Sequence, residues 1–210
     1  MNKSINIAVV GLGQVGSYLL NELNTKKKDI ELKTGKKINV VAISARNINK
    51  KRQFKINKKI FFKNPLDIFS KTNIDILFEA IGLSDGISKK VIETALKKKI
   101  HVITPNKALI SKHGNELAKI AELNNVNLEF EASVAGGIPI LRSIKEGLAT
   151  NKISKVYGIL NGTSNYILSE MENSNQSFSD VLKKAQKLGY AEPGNPKLDL
   201  NGFDAFAKVR

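Results

Sequence analysis

The sequence predicts an α/β fold built on a doubly wound parallel sheet, followed by part of a second, α+β domain. Three observations lead to this prediction. Short apolar runs recur along residues 5–130, helical patterns lie between them, and a glycine-rich turn follows the first run. Strands that alternate with helices pair in parallel through right-handed crossovers, so the runs are expected to form one sheet.

Five apolar runs are predicted to be the strands of this sheet. The first, residues 5–10, ends at Gly11, as expected of a buried parallel strand that enters a tight turn. The others are residues 38–43, 74–79, 100–103 and 127–130. Helical patterns occupy residues 18–23, 86–98 and 106–124, whereas the polar, lysine-rich stretch 25–37 is predicted to be an exposed loop.

The pattern changes near residues 133–139, which contain two adjacent glycines and a proline. Residues 1–134 are therefore predicted to form the first domain, and residues 135–210 the beginning of the second. Within the second, the sequence predicts a helix over 140–149, a strand over 153–160, and helices over 163–173 and 178–188.

Composition excludes several classes of protein. The formal charge of +15 comes mostly from scattered lysines with few aromatic residues between them, which favours solvated faces over a specific nucleic-acid site. The absence of cysteine excludes disulfides, thiolate metal sites and thiol catalysis. No apolar run approaches the ~18 residues of a membrane span, and the N-terminus lacks signal-peptide features. A cytoplasmic protein without a membrane partner is therefore expected.

The glycine-rich turn has the pattern of a dinucleotide-binding fingerprint. It consists of Gly11, Leu12, Gly13, Gln14, Val15 and Gly16, directly after the first strand and at the start of a helix. The first glycine permits the tight turn, the second lets the backbone approach a pyrophosphate, and the third lets helix and strand pack closely. The first domain is thus predicted to be a Rossmann-type NAD(P)-binding domain.

The end of the second strand indicates which cofactor is preferred. NAD sites usually place a carboxylate there, whereas NADP sites use a cation for the 2′-phosphate. Here the strand leads to Arg46, with Lys50, Lys51 and Arg52 close behind and no carboxylate. NADP(H) is therefore predicted over NAD(H), and Arg46 is predicted to bind the 2′-phosphate. The alternative is that Arg46 is a solvated arginine in a basic loop.

The available side chains restrict the chemistry. Thioester-forming and zinc dehydrogenases generally require cysteine, which is absent, and no tyrosine is followed by lysine at the fourth position, as short-chain reductases require. His101 lies in a predicted strand and His113 in a predicted helix, where packing or surface roles are usual. Lysine remains as a candidate acid. Asp204 and Lys208, four residues apart, would be neighbours on a helix, as a proton relay or as a surface ion pair.

An ordered set of motifs resembles the homoserine dehydrogenases. The set comprises the glycine turn, Thr104-Pro-Asn-Lys107, Asn161-Gly-Thr-Ser-Asn165, Gly189-Tyr-Ala-Glu192-Pro193 and the Asp204/Lys208 pair. The resemblance implies reversible reduction of L-aspartate 4-semialdehyde to L-homoserine with NAD(P)H, on the route to threonine, methionine and isoleucine. It also implies a substrate and dimerisation domain after the Rossmann half, and a homodimer at full length.

The resemblance also implies roles for single residues. Lys208 would exchange a proton with the substrate oxygen, with Asp204 beside it. The substrate-binding positions would be Glu192, Asp199 and Lys107, the last also facing the nicotinamide. Asp199 is placed less securely, because the segment between Glu192 and Asp204 is one residue longer than the usual family pattern.

Two further expectations follow from the family pattern. Glu131 and the backbone carbonyls of Val134, Gly136 and Ile138 match a sodium site, for which hard oxygen ligands are suitable; a hinge turn is the alternative. Family members continue well beyond the length of this chain. The chain is therefore expected to be a fragment of such an enzyme, with the helical turn that carries Lys208 frayed unless tertiary contacts hold it.

Overall fold

A computed structural model describes residues 4–50, 52, 56–191 and 196–210. Its contacts divide the chain into two compact units, Met1–Ile138 and Pro139–Arg210. Within the described residues, no helix has the length and the apolar character that crossing a lipid bilayer requires.

The N-terminal unit is built on a six-stranded parallel sheet. The strand order is β3-β2-β1-β4-β5-β6. Strands β2 and β3 are added on one side of β1, and β4, β5 and β6 on the other, so the strand order switches direction between β1 and β4. The strands are β1 (Ser4–Val10), β2 (Lys37–Ser44), β3 (Phe61–Phe62), β4 (Ile76–Glu79), β5 (His101–Ile103) and β6 (Leu128–Glu129). The five predicted strands are thus confirmed. The sixth, β3, was not predicted, because its apolar run is only three residues long, 60–62, between two lysines. It is a two-residue edge strand that pairs only with the end of β2.

The described residues of this unit form five helices: α1 (Gln14–Thr25), α2 (Lys27–Thr34), α3 (Ile68–Lys71), α4 (Ile87–Lys97) and α5 (Lys107–Leu123). Short 3₁₀ turns occupy Lys58–Ile60, Pro65–Asp67 and Glu131–Ser133. The predicted loop over 25–37 is wrong, because α2 lies within it. This helix has no buried residue, so it shows no apolar periodicity.

Polar contacts stabilise α2 instead of burial. Gly35 ends the helix at φ 66°, in the left-handed region, and its N–H donates to the Glu31 carbonyl. The Glu31 carboxylate accepts from the Ile38 N–H at 2.9 Å, which ties the helix to the start of β2. Lysine and glutamate are also good helix formers, so a charged stretch of this kind can be helical.

The sheet is packed on both faces. Because side chains alternate along a strand, Ala8 and Val10 of β1 face α4 and α5, whereas Ile7 and Val9 face α1. Leu77, Val91, Val102 and Leu109 are fully buried in the first of these layers. This arrangement confirms the predicted doubly wound α/β fold and places the carboxyl ends of β1, β2 and β4 along one edge.

The regular structure in the described part of the C-terminal unit is helical. It contains α6 (Ile140–Arg142), which continues as a π turn over Ser143–Gly147, then α7 (Gly162–Ser174), α8 (Phe178–Lys187), α9 (Lys197–Leu200) and α10 (Phe203–Val209). The helices predicted over 163–173 and 178–188 are confirmed. They pack through Ile167, Val181 and Ala185, and the rings of Tyr166 and Tyr190 stack at 4.5 Å.

The strand predicted over residues 153–160 is wrong. This segment has no regular structure, and its apolar side chains are exposed, Val156 by 63% and Ile159 by 77%. A strand requires a neighbour to accept and donate its backbone hydrogen bonds. Among the described residues of this unit, no segment is paired with it. The predicted helix over 140–149 is correct in part, since helical structure ends at Gly147.

Candidate functional site

The glycine turn after β1 is shaped by close backbone contacts. Gly11 has φ 92°, and its N–H donates to the Ser44 carbonyl of β2 at 2.9 Å. A Cβ at Gly11 would lie 2.3 Å from the backbone of Ala80, and one at Gly16 would lie 1.9 Å from the Gly11 carbonyl oxygen. These separations are far below van der Waals contact. Both positions therefore require glycine, as the fingerprint predicts.

The second glycine of the turn has a different environment. Gly13 is the N-cap of α1, and a Cβ there would meet nothing within 4 Å, so the space above the turn is open. No side chain caps the helix, and its first turn contains no acidic residue. The first N–H groups of a helix and its dipole attract anions. The turn thus fits the pyrophosphate of a dinucleotide.

A cleft of about 730 Å³ lies beside this turn, at the carboxyl ends of β1, β2 and β3. Its described lining residues include the cations Arg46, Lys63 and Lys71. Asp67 is the one acidic residue among its described lining residues, and its carboxylate accepts from the Asn64 amide at 2.9 Å. The cleft therefore offers a net positive charge directly after β2, where the ribose of a dinucleotide is expected to bind.

The other predicted cations of this region have different roles or positions. The Arg52 guanidinium donates to the carbonyls of Asn47, Ile48 and Lys50 at 3.0, 3.2 and 2.9 Å. It therefore holds the loop after β2 together. Lys51 lies outside the described residues. Arg46 is exposed, and no ion pair is found for it within the described part of the chain.

Glu79 is a functional candidate that sequence analysis missed. It ends β4, is completely buried, and accepts from the Ile81 N–H at 2.8 Å and from the Thr104 hydroxyl at 2.7 Å. Thr104 in turn accepts from the Asn106 N–H at 3.1 Å. A charged residue at the end of an apolar strand was the signal available in the sequence. The carboxylate links the loops that follow β4 and β5.

Lys107 is placed by this network. It is the first residue of α5, and the Asn106 side chain caps that helix by accepting from the Leu109 N–H at 3.2 Å. The Asn106 amide also donates to the Leu83 carbonyl at 2.9 Å. The backbone that carries Lys107 is therefore fixed at the carboxyl edge of the sheet, next to the loop after β4.

The two histidines take part in structural contacts. His101 Nδ1 accepts from the Asn127 N–H at 3.0 Å. His113 Nε2 lies 2.8 Å from the Asp85 carboxylate, which Lys112 also contacts at 2.6 Å. Hydrogen bonds from Lys112, His113 and Ser84 hold the pKa of Asp85 well below its usual range. This network joins the loop before α4 to α5.

The Asp204/Lys208 pair lies in the C-terminal unit on α10. The Lys208 ammonium lies 2.6 Å from Asp204 Oδ2 and donates to the Leu160 carbonyl at 2.7 Å. The side chains are 19% and 9% exposed, respectively. The predicted helical spacing is thus present, and the pair is more buried than an ordinary surface ion pair. The tertiary contact to Leu160 holds the last turn of the helix.

Asp199 lies beside this pair. Its Oδ2 accepts from the Thr163 hydroxyl at 3.2 Å, and its Oδ1 accepts from the Asn161 amide at 2.9 Å. The same amide nitrogen donates to Asp204 at 3.0 Å. The fold therefore brings together three of the predicted substrate-site residues, Asp199 on α9 and the Asp204/Lys208 pair on α10. Glu192 lies outside the described residues.

The candidate cation ligands belong to the end of the N-terminal unit. Glu131 begins a 3₁₀ turn, and the chain then bends through Val134, Gly136 and Ile138. No group of three histidine, aspartate or glutamate side chains that could hold a metal ion is found among the described residues. The candidate set contains one carboxylate and three carbonyls, which are hard donors that fit a monovalent cation.

Two family models match the chain. The model described as homoserine dehydrogenase, NAD binding domain, matches residues 11–131, and the model described as homoserine dehydrogenase matches residues 139–210. Among curated proteins, the homoserine dehydrogenase of Neisseria gonorrhoeae is 41% identical over 207 residues, which cover 99% of this chain and 47% of that protein. The chain therefore spans about half the length of the curated relatives it matches.

Solved structures agree with these matches. The homoserine dehydrogenase of S. aureus at pH 7.5 is 39% identical, has a TM-score of 0.85, and is matched over 100% of this chain and 48% of its own. A hyperthermophilic archaeal homoserine dehydrogenase in complex with NADPH has a TM-score of 0.78 at 23% identity, over 98% of this chain and 67% of its own. The latter shows a shared fold.

Proposed function

Since this chain belongs to the homoserine dehydrogenase family, we propose that it forms the cofactor domain and part of the substrate site of an enzyme that interconverts L-homoserine and L-aspartate 4-semialdehyde. NADP(H) is the proposed cofactor, and the product serves the synthesis of threonine, methionine and isoleucine. The observation that carries the proposal is the largely buried Asp204/Lys208 pair, held by Leu160 and Asn161 in the unit that follows the dinucleotide fingerprint.

The proposed roles follow from the chemistry of these side chains. The cofactor would supply the hydride that reduces the aldehyde carbon. The Lys208 ammonium would give its proton to the aldehyde oxygen as that oxygen becomes a hydroxyl, and it would take the proton back in the oxidative direction. Asp204 would hold the ammonium in place. Glu192, Asp199 and Lys107 would bind the polar groups of the substrate.

The pyrophosphate would bind at the glycine turn. The N–H groups of the first turn of α1 would donate to its oxygens, and Gly13 leaves room for the approach. We further propose that Glu131 and the carbonyls of Val134, Gly136 and Ile138 bind a sodium ion, and that the full-length enzyme is a homodimer.

Activity and cofactor binding test the proposal together. The 210-residue chain is expected to bind NADPH weakly and to show negligible homoserine-dependent NADPH formation, because it covers only about half the length of its relatives and a catalytic group needs a packed supporting shell. An enzyme of full family length that contains this segment is expected to be active. Both proteins can be assayed by the absorbance of NADPH.

A basic binding module without catalysis is the alternative, and titration with duplex DNA separates the two. Binding that depends on phosphate charge alone weakens steeply with salt. If DNA binds far more tightly than NADPH at physiological salt, and the longer enzyme does not oxidise homoserine, the proposed function is wrong.

Cofactor preference gives a separate prediction at Arg46. Arg46→Ala is expected to weaken NADPH binding roughly ten- to hundredfold, because a charge-assisted hydrogen bond to the 2′-phosphate contributes about 1.5–3 kcal/mol. NADH binding should change little, since NADH lacks this phosphate. Dissociation constants for both cofactors can be measured by fluorescence titration of the 210-residue chain.

The matched control is Lys71→Ala, which removes a second cation from the same cleft. It should weaken NADPH binding less than Arg46→Ala, because Lys71 lies on α3 and does not follow β2 directly in the chain, where the cation that binds the 2′-phosphate is expected. Equal losses of NADPH and NADH affinity in Arg46→Ala would show that Arg46 does not read the 2′-phosphate.

A further inference from the structure

Asn161 has both ends of its side chain engaged. It is the N-cap of α7, and its Oδ1 accepts from the Ser164 N–H at 2.8 Å. This bond fixes the orientation of the amide, so that Nδ2 is directed away from the helix. The two hydrogens of Nδ2 are donated to Asp199 Oδ1 at 2.9 Å and to Asp204 Oδ2 at 3.0 Å. The side chain is partly buried.

This amide lies between two like charges. Asp199 and Asp204 each contact the same nitrogen, so their carboxylates are close neighbours and repel each other. An N–H donated to each carboxylate offsets that repulsion and selects one rotamer for each. Asparagine is suited to the position, because it provides two donors on one side and the acceptor for the helix on the other.

The oxygen that Asn161 holds is also the oxygen that Lys208 contacts. Asp204 Oδ2 accepts from the amide and lies 2.6 Å from the Lys208 ammonium. The ammonium has a second acceptor in the Leu160 carbonyl, directly before Asn161 in the sequence. The position of the ammonium is thus defined by residues 160 and 161 on one side and by α10 on the other.

We propose that Asn161 is a positioning residue for the proton-transfer step. It holds Asp204, and through Asp204 it orients the Lys208 ammonium toward the substrate oxygen. The inference rests on the proposed function for its kinetic consequence, whereas its structural consequence can be measured in the 210-residue chain. The residue has no proposed contact with the reacting atoms.

Asn161→Ser separates positioning from helix capping. Serine is about as good an N-cap as asparagine, so the N-terminus of α7 should be retained. The donors to both carboxylates are lost. In an enzyme of full family length, kcat for homoserine oxidation is expected to fall by up to about a hundredfold, since a displacement near 1 Å can have this effect. KM for NADP should be unchanged.

Two further variants complete the kinetic series. Asn161→Asp keeps the shape and the capping oxygen, but it places a third carboxylate beside those of Asp199 and Asp204. Because the three carboxylates repel one another, the kcat of this variant should be lower than that of the serine variant. Ser177→Ala removes the cap of α8 in the same unit, where Ser177 accepts from the Asp180 N–H at 3.3 Å. This control should lower the thermal midpoint and leave kcat unchanged.

Acylation of lysine amines in the 210-residue chain gives a readout that needs no activity. After loss of the bridging amide, Asp199 and Asp204 should move apart and expose Lys208. Its acylation rate, followed by mass spectrometry relative to exposed Lys183, is expected to rise several-fold in Asn161→Ser and to stay constant in Ser177→Ala. If the wild-type enzyme of full family length is inactive, the proposed function is wrong, but the positioning role of Asn161 can still be tested by acylation. Wild-type acylation of Lys208 in Asn161→Ser, or a wild-type kcat in an active enzyme, would disprove the positioning role.

Discussion

Replacing Lys208 with arginine is expected to lower kcat for homoserine oxidation by roughly 10²–10⁴-fold, the usual contribution of a general acid or base. Arginine keeps the positive charge beside Asp204, so the ion pair and the last turn of α10 should be retained. It cannot exchange its proton near neutral pH, because its pKa is above about 12. The substitution therefore removes proton transfer while it preserves the electrostatics of the pocket.

The measurement is steady-state kinetics of an enzyme of full family length, together with thermal unfolding. KM for homoserine should change by a small factor, since proton transfer belongs to the transition state. Lys183→Arg on the exposed side of α8 is the matched control and should behave as wild type. A Lys208→Arg enzyme with nearly wild-type kcat would exclude Lys208 as the proton donor.

The features that the sequence predicted correctly depend on local spacing. The glycine turn, the five predicted strands and the Asp204/Lys208 contact each involve residues within about one turn or one run of the chain. Helix α2 was missed because its stability comes from charged residues and from a glycine cap rather than from an apolar face. Such a helix cannot be recognised from the spacing of apolar residues along the sequence.

The contacts that sequence analysis did not predict join residues far apart in the chain. Asn161 contacts Asp199 and Asp204 across 38 and 43 residues, and Glu79 contacts Thr104 across 25. No local sequence pattern indicates which polar groups will be in contact when they are that many residues apart. The strand prediction over 153–160 was wrong because it, too, depended on a distant contact. The composition of this segment suits a strand, but a strand forms only where a partner lies beside it.

The glycine turn gives the second large expected effect, in which two neighbouring glycines should respond differently. Gly11→Ala is expected to lower the free energy of unfolding by several kcal/mol. Alanine at φ 92° costs about 1–3 kcal/mol, and the Cβ at 2.3 Å from Ala80 adds an overpacking cost of about 1–3 kcal/mol. Against a typical stability of about 5–15 kcal/mol, this loss is expected to unfold part of the population.

Gly13→Ala should instead leave stability unchanged and impair cofactor binding. Gly13 has φ −75°, which alanine adopts readily, and its Cβ would meet no atom within 4 Å. In the proposed complex the pyrophosphate occupies that space. The added methyl group should then keep the pyrophosphate away from the N–H groups of α1 and weaken NADPH and NADH binding alike, roughly ten- to hundredfold. Urea unfolding and cofactor titration of the 210-residue chain measure the two effects separately. Unchanged cofactor affinity in a stable Gly13→Ala variant would show that the pyrophosphate does not bind over this turn, because no other consequence of that methyl group is expected from the structure.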